Sequence, residues 1–182
     1  MALQRVLEPE VMDTESEARD YDSMDHSAVN QCFVSDLLNL CGSPTNVLDL
    51  GTGTAQVPIA LCQQHTNCRV LATDLATHML DLARYNVELA NLTDRIQLGH
   101  VDAKQLPYED ASFPLVMSNN IVHHIPDPAM IVGEAIRVTQ PGGFLFFRDL
   151  LRPANNDTLT NLVETYAGEE GEHAQQMFED SL

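Results

Sequence analysis

The stretch VLDLGTGTAQVPIALCQQHTNCRVLATD, residues 47–74, decides the fold. Its opening residues Val47-Leu48-Asp49-Leu50 form a short apolar run suited to a buried strand, and Val70-Leu71-Ala72-Thr73-Asp74 forms a second. Between them, residues from about Ala55 to His65 read as a helix, entered through the flexible turn Gly51-Thr52-Gly53. A strand, a helix and a strand in so short a span imply a right-handed crossover joining two parallel strands.

The same alternation continues outward in both directions. Upstream, Ser27 is expected to cap a helix whose apolar positions Val29, Phe33, Val34, Leu37, Leu38 and Cys41 keep helical spacing, with Gly42 and Pro44 ending it. Residues 1–26 are polar and acidic with little periodicity. Downstream, a helix is predicted from Thr77 to Ala90, a strand over Arg95–Gly99, and a loop from Asp102 to Ser112. A strand follows over Phe113–Ser118, with Pro114 near its start, where a missing N–H is tolerated. Asp127 and Pro128 fit the N-cap and first position of the next helix, Pro141-Gly142-Gly143 ends it, and Phe144–Phe147 is the fifth strand. From Arg152 onward the sequence is helical or irregular. The pattern predicts an α/β fold: a doubly wound, Rossmann-like, mostly parallel sheet with helices on both faces.

The chain has 182 residues, 44% of them apolar, which suits one domain, 1–182. Within it, 1–42 reads as an N-terminal cap and helix, 45–150 as a ligand-binding core and 151–182 as a helical tail. Nine basic residues face 27 acidic ones, a net charge of −18, which opposes binding to a phosphate backbone; no nucleic-acid partner is expected. There is no apolar run long enough for a membrane helix and no signal core, so the expected location is cytoplasmic, without a membrane partner. Cys32, Cys41, Cys62 and Cys68 form no metal-ligand spacing and are expected to be buried, reduced thiols; no metal is expected.

In doubly wound sheets ligands bind at the carboxyl ends of the strands, near the point where strand order reverses. The residues at those ends here are Asp49, Gly51, Thr52 and Gly53, then Asp74 and Leu75, then Asp102 and Ala103, then Asn119. Glycines at 51 and 53 let a ligand approach the backbone, and a carboxylate at 74 can accept both hydroxyls of an adenosine ribose. That logic serves nicotinamide and adenosyl cofactors alike, although Gln56 stands where the dinucleotide fingerprint needs Gly or Ala. Asp102 could accept an exocyclic amine. His123 and His124, after the fourth strand, either orient the turn before Ile125-Pro126 or act as a general base. Tyr21 and His26 could approach from the cap, while Tyr166 and Phe178 are expected to pack. No catalytic residue is assigned.

Taken together, VLDLGTGT at 47–54, TDL at 73–75, VDA at 101–103, LPYEDASF at 106–113, VMSNNIVHHI at 116–125 and RVTQPGG at 137–143 resemble the class I S-adenosylmethionine-dependent methyltransferases over about residues 45–150. The resemblance implies S-adenosyl-L-methionine as cofactor and a small-molecule methyl acceptor. It places Gly51 and Gly53 at the methionine end, Asp74 at the ribose, Asp102 and Ala103 at the adenine and the Asn119 backbone near the methionine moiety, with Tyr21–His26 in a cap over the cofactor. The departures are Ala55 for a third glycine, Pro114 for an acid and Gln140 for a base. The family's usual C-terminal antiparallel strand pair is also missing before Leu182, which would leave the fifth strand as an apolar edge. That edge implies a truncated chain, a homodimer covering it, or a non-catalytic cofactor-binding module of the same fold; a nicotinamide-dependent oxidoreductase is the remaining alternative.

Overall fold

A computed structural model describes residues 3, 11, 13–168 and 171–182. Five strands run in parallel: β1 (Asn46–Leu50), β2 (Arg69–Asp74), β3 (Ile96–His100), β4 (Phe113–Asn119) and β5 (Thr139–Arg148), in the order β3-β2-β1-β4-β5. The chain builds outward from β1 through β2 to β3, then returns to β4 on the other side of β1. The reversal therefore lies between β1 and β4, whose register pairs Leu50 with Ser118.

The helices are α1 (Glu15–Ser23), α2 (Ser27–Cys41), α3 (Gln56–Gln64), α4 (Thr77–Leu89), α5 (Pro128–Val138), α6 (Asn156–Ala167) and α7 (Glu172–Ser181). Alternation along β1 and β4 divides the core. Val47, Leu115 and Met117 join Phe33 and Leu37 of α2, Leu61 of α3 and Ala83 of α4 on one face. Leu48, Leu50 and Val116 meet Ile131, Ala135 and Val138 of α5 on the other. Both faces of the inner strands are covered, which is why their sequences are apolar runs rather than alternating ones.

Several local readings need correction. The segment before residue 27 contains α1, whose Thr14 and Glu17 side chains make a reciprocal capping box. Ser27 is the first residue of α2, with His26 as its N-cap. α5 does open on Asp127, whose carboxylate accepts from Ala129 N at 3.2 Å with Pro128 in the first turn, but it ends at Val138. Pro141-Gly142-Gly143 falls inside β5, whose pairing with β4 slips between Phe113 and Leu115, around the proline that cannot donate to the ladder. Among the cysteines, Cys62 and Cys68 are buried, Cys41 is partly exposed and Cys32 is exposed on the outer side of α2. Tyr166 and Phe178 do pack against each other across α6 and α7, with ring centroids 6.1 Å apart, though Tyr166 stays largely exposed. β5 is an edge of the sheet, and its Phe144 and Leu145 are 46% and 42% exposed. Among the described residues no helix is long and apolar enough to cross a membrane.

Candidate cofactor and acceptor site

The turn after β1 is built for close approach. Gly51 and Gly53 have φ of +72° and +54°, and Ala55 closes the turn at +65°, a conformation its methyl tolerates at the buried entry to α3. Gly51 N and Thr52 N both donate to Thr73 O at 2.9 Å, tying the turn to the end of β2. Asp74, the last residue of β2, accepts from Gly53 N at 2.7 Å and from Ala76 N at 2.8 Å. Burial pushes its carboxyl up, and these N–H donors oppose the rise.

Opposite the turn, across the switch point, Asn119, Asn120 and Ile121 follow β4. A Cβ on Gly51 would come within 2.1 Å of Ile121 Cγ2, so the two strand ends touch at this glycine. Asp102 and Ala103 follow β3. The Asp102 carboxyl is raised by burial, an effect outweighed by the N–H and ammonium of Lys104, at 2.9 and 3.0 Å, which hold it below the usual carboxylate range.

α1 closes the cleft from above. Its Tyr21 ring lies over Gly53, stacks on His26 at 4.8 Å between centroids, and is half-buried. Burial raises the Tyr21 hydroxyl first, and Asp74, Asp22 and Asp49 raise it further, so it remains a protonated phenol. The helix is held down by Asp22, which accepts from Gln56 Nε2 at 3.3 Å and Asn86 Nδ2 at 2.9 Å, and by packing of Ala18 on Ala76 and Met79.

One cleft thus gathers Tyr21, Gly51, Gly53, Asp74 and Leu75, together with Asp102, Ala103 and Asn119. Asp49 and Thr52 are not on its surface. Asp49 is only 2% exposed in the centre of the sheet, and burial pushes its carboxyl up to about 7, with the Asp74 carboxylate adding to the rise. The Thr52 hydroxyl lies close enough to offset part of that rise, yet outside hydrogen-bonding geometry. The sequence did not point to Lys104 in the cleft wall; of the two readings of the histidine pair His124 lines the wall, and with it stand Ile121 and Ile125, which the sequence also did not single out. Only the β1–β4 pairing brings the last three to the glycine turn.

Beside this wall Asp149, just past β5, accepts from Val122 N at 2.6 Å, from His123 N at 3.3 Å and from His123 Nδ1 at 2.7 Å. Burial works against its charge, but these donors and the His123 ring hold it below the usual carboxylate range. A carboxylate only accepts, so the hydrogen between the two sits on His123 Nδ1. The His124 ring stacks on that of His123, with centroids 4.1 Å apart. Both readings of the pair survive in the geometry: the turn is fixed by Asp149, and His124 faces the cleft. Among the described residues no group of three or more His, Cys, Asp or Glu could hold a metal ion.

A family model for the methyltransferase domain matches residues 48–147, more than half of the chain. The chain belongs to the class I S-adenosylmethionine-dependent methyltransferase family. It is 35% identical over 116 residues to a demethylmenaquinone methyltransferase of Deinococcus radiodurans, covering 64% of this chain and 47% of that protein. It is 31% identical over 105 residues to a 27-O-demethylrifamycin SV methyltransferase of Amycolatopsis mediterranei, covering 58% and 38%. The chain thus spans under half the length of these curated relatives. The crystal structure of a SAM-dependent methyltransferase from Aquifex aeolicus superposes with a TM-score of 0.63 at 21% identity, covering 85% of this chain and 88% of that one.

The family's cofactor is S-adenosyl-L-methionine, and the cleft fits it. Asn119 Oδ1, in the cleft wall at the end of β4, is a buried polar atom without a hydrogen-bond partner, and Thr52 Oγ1 and Asp49 Oδ2 are likewise unpaired at and beneath the glycine turn. Such atoms are costly unless a ligand or water satisfies them.

Proposed function

We propose that this protein transfers a methyl group from S-adenosyl-L-methionine to a small-molecule acceptor. The observation that carries the proposal is the convergence, at the β1–β4 switch point of a methyltransferase-family chain, of the glycine turn, the Asp74 and Asp102 carboxylates and the Tyr21 ring. In this reading Asp74 and Leu75 hold the ribose, Asp102 and Ala103 the adenine, and Gly51, Gly53 and the Asn119 backbone the methionine end. Asp49 and Thr52 act from beneath the turn. Among the described residues, α1 and α2 form the cap part of 1–42, 45–150 the cofactor core, and α6 and α7 the helical tail of 151–182 within one domain; residues 1, 2, 4–10, 12, 169 and 170 lie outside the described residues.

When bound, the cofactor supplies a methyl group already activated by its sulfonium. The chain's own task is alignment and exclusion of water, for which Tyr21 above and Ile121 and Ile125 on the wall are suited. His124 is the nearest group able to take a proton from an acceptor hydroxyl, in a turn held by Asp149 and backed by the His123 ring. A small acceptor is favoured by the names of the two relatives and by the −18 charge, which disfavours nucleic acid. A cytoplasmic location and a second copy pairing along β5 complete the reading.

Calorimetric titration with S-adenosylhomocysteine, with NAD in parallel, tests it, followed by label transfer from methyl-labelled cofactor into a small-molecule extract. Micromolar binding of the first, none of the second and a labelled small product are expected. Binding of NAD alone would overturn the proposal, and cofactor binding without any transfer would make the protein a binding module.

A further inference from the structure

Asp49 is a buried acid with no partner. It is the fourth residue of β1, with its backbone paired to Ala72 of β2 and Met117 of β4, so it occupies the middle of the sheet. Leu48 and Leu50 point toward α5, and strand alternation turns Asp49 to the opposite face, behind the glycine turn. Its Oδ2 has no hydrogen-bond partner. The titratable groups around it are Tyr21 and Asp22 from α1, Asp74 from β2 and, across the cleft, His124 from the turn after β4. The polar neighbour from α3 is the neutral Gln56, and the facing positions Met117 and Ser118 of β4 do not titrate. Lys104, the cleft's lysine, is engaged with Asp102.

A carboxylate in such a place is penalised by desolvation, an effect the nearby Thr52 hydroxyl offsets only in part, and is repelled by Asp74, so its neutral form is favoured. An apolar residue at position 49 would serve the sheet better. What changes the balance is a positive charge arriving just above the turn. The methionine end of the cofactor carries an ammonium beside its carboxylate, and in the methyltransferase reading that end lies at Gly51 and Gly53, with the ammonium toward the turn above Asp49.

We infer that in the ligand-free protein Asp49 becomes protonated as pH falls through neutrality, and gives its proton to solvent when the ammonium of the cofactor's methionine end occupies the cleft. The O–H bond of the carboxyl breaks, the electron pair stays on Asp49, and the ligand ammonium keeps its own three protons. Cofactor occupancy and the ionisation of this carboxyl become one equilibrium. Affinity then rises with pH until Asp49 is ionised in the free protein too, and is flat above that.

This inference rests on the methyltransferase reading, and the test separates the two. The full chain is titrated with S-adenosylhomocysteine by calorimetry at pH 6.0, 7.0 and 8.5, each in phosphate and in Tris, whose different ionisation enthalpies count the protons released. The linkage relation, applied to a carboxyl at about 7, gives release of about 0.9 proton at pH 6.0, about 0.5 at pH 7.0 and under about 0.1 at pH 8.5. Affinity should be about tenfold weaker at pH 6.0 than at pH 8.5. Asp49→Asn should abolish the release and flatten the pH dependence, and His124→Gln should keep both. Should Asp49→Asn fail to fold, the wild-type proton count and the His124→Gln count still decide. Binding without proton release at any of the three pH values overturns the inference and leaves the methyltransferase reading standing. So does release that persists in Asp49→Asn or disappears in His124→Gln. No binding at any pH by folded protein overturns both.

Discussion

Replacing Gly51 by alanine tests whether the switch point is closed by direct contact between the turn after β1 and the segment after β4. Two costs can be separated. Gly51 has φ of +72°, where a side chain costs about 1–2 kcal/mol. The added Cβ would also lie 2.1 Å from Ile121 Cγ2, 2.7 Å from its Cδ1 and 2.9 Å from its Cβ. Because the Ile121 Cβ itself is inside contact distance, rotating that side chain does not clear the overlap, and relief requires a backbone shift of the kind that costs about 1–3 kcal/mol. Gly51→Ala should therefore lose about 2–5 kcal/mol. Gly142→Ala is the internal control, since its φ is +78° with nothing within 4 Å of the new Cβ; it should lose only the backbone part, about 1–2 kcal/mol. Urea unfolding followed by circular dichroism gives both values. Adding Ile121→Ala to Gly51→Ala should relieve the overlaps with Cγ2 and Cδ1 and leave only the 2.9 Å contact with the Cβ of residue 121, so part of the steric loss is recovered. A Gly51→Ala variant no less stable than Gly142→Ala would refute the contact, and with it the argument that this glycine is set by packing across the switch point.

Three further outcomes follow from side chains elsewhere. Glu134 accepts from Leu106 N at 2.7 Å and from Arg137 Nε at 2.7 Å, and the Arg137 guanidinium holds it down to about 2. Its folded value lies below its unfolded one, so its contribution is present above about pH 4.3 and is lost as pH falls toward 2. Thermal unfolding from pH 2 to 7 should show a shallower acid limb in Glu134→Gln, and an unchanged limb would dismiss the pairing as a source of pH dependence. Asp22→Ala removes the acceptor of Gln56 and Asn86, and at about 1–3 kcal/mol for local opening should speed amide exchange in α1 about 5–150-fold. Unaltered protection would mean that Ala18 packing alone holds the helix. Asp149→Ala strips the acceptor from Val122 N and His123 Nδ1, and a loss of about 1–3 kcal/mol is expected in urea unfolding. A neutral result would remove Asp149 as the anchor of the histidine turn.

The sheet was legible because its inner strands are buried on both faces, so each announces itself as an apolar run, and because Gly42, Asp127 and Pro128 punctuate the helices between them. α1 was missed although a capping box was present in Thr14 and Glu17: the helix buries only Ala18 and part of Tyr21, so no apolar stripe marked it. β5 was read too short, since Pro141 and two glycines look like a stop, yet an edge strand has no second neighbour to miss the proline's donor.

The site was legible only along the chain. Gly51, Gly53, Asp74, Asp102 and Asn119 each follow a strand, and strand ends share one side of a parallel sheet whatever the strand order. Ile121, Ile125 and His124 are different, because they reach the glycine turn only if β4 pairs with β1 rather than with β3. That pairing joins Leu50 to Ser118, and no local pattern in either segment encodes it. The misplacement of Asp49 has the same origin. As part of a motif it belongs with the glycines, but Leu48 and Leu50 need the α5 face, and a period of two then forces the carboxyl between them to the other side, out of the cleft. What the sequence presents as one binding motif the sheet divides into a surface that lines the cleft and a carboxyl beneath it that can act only through the turn.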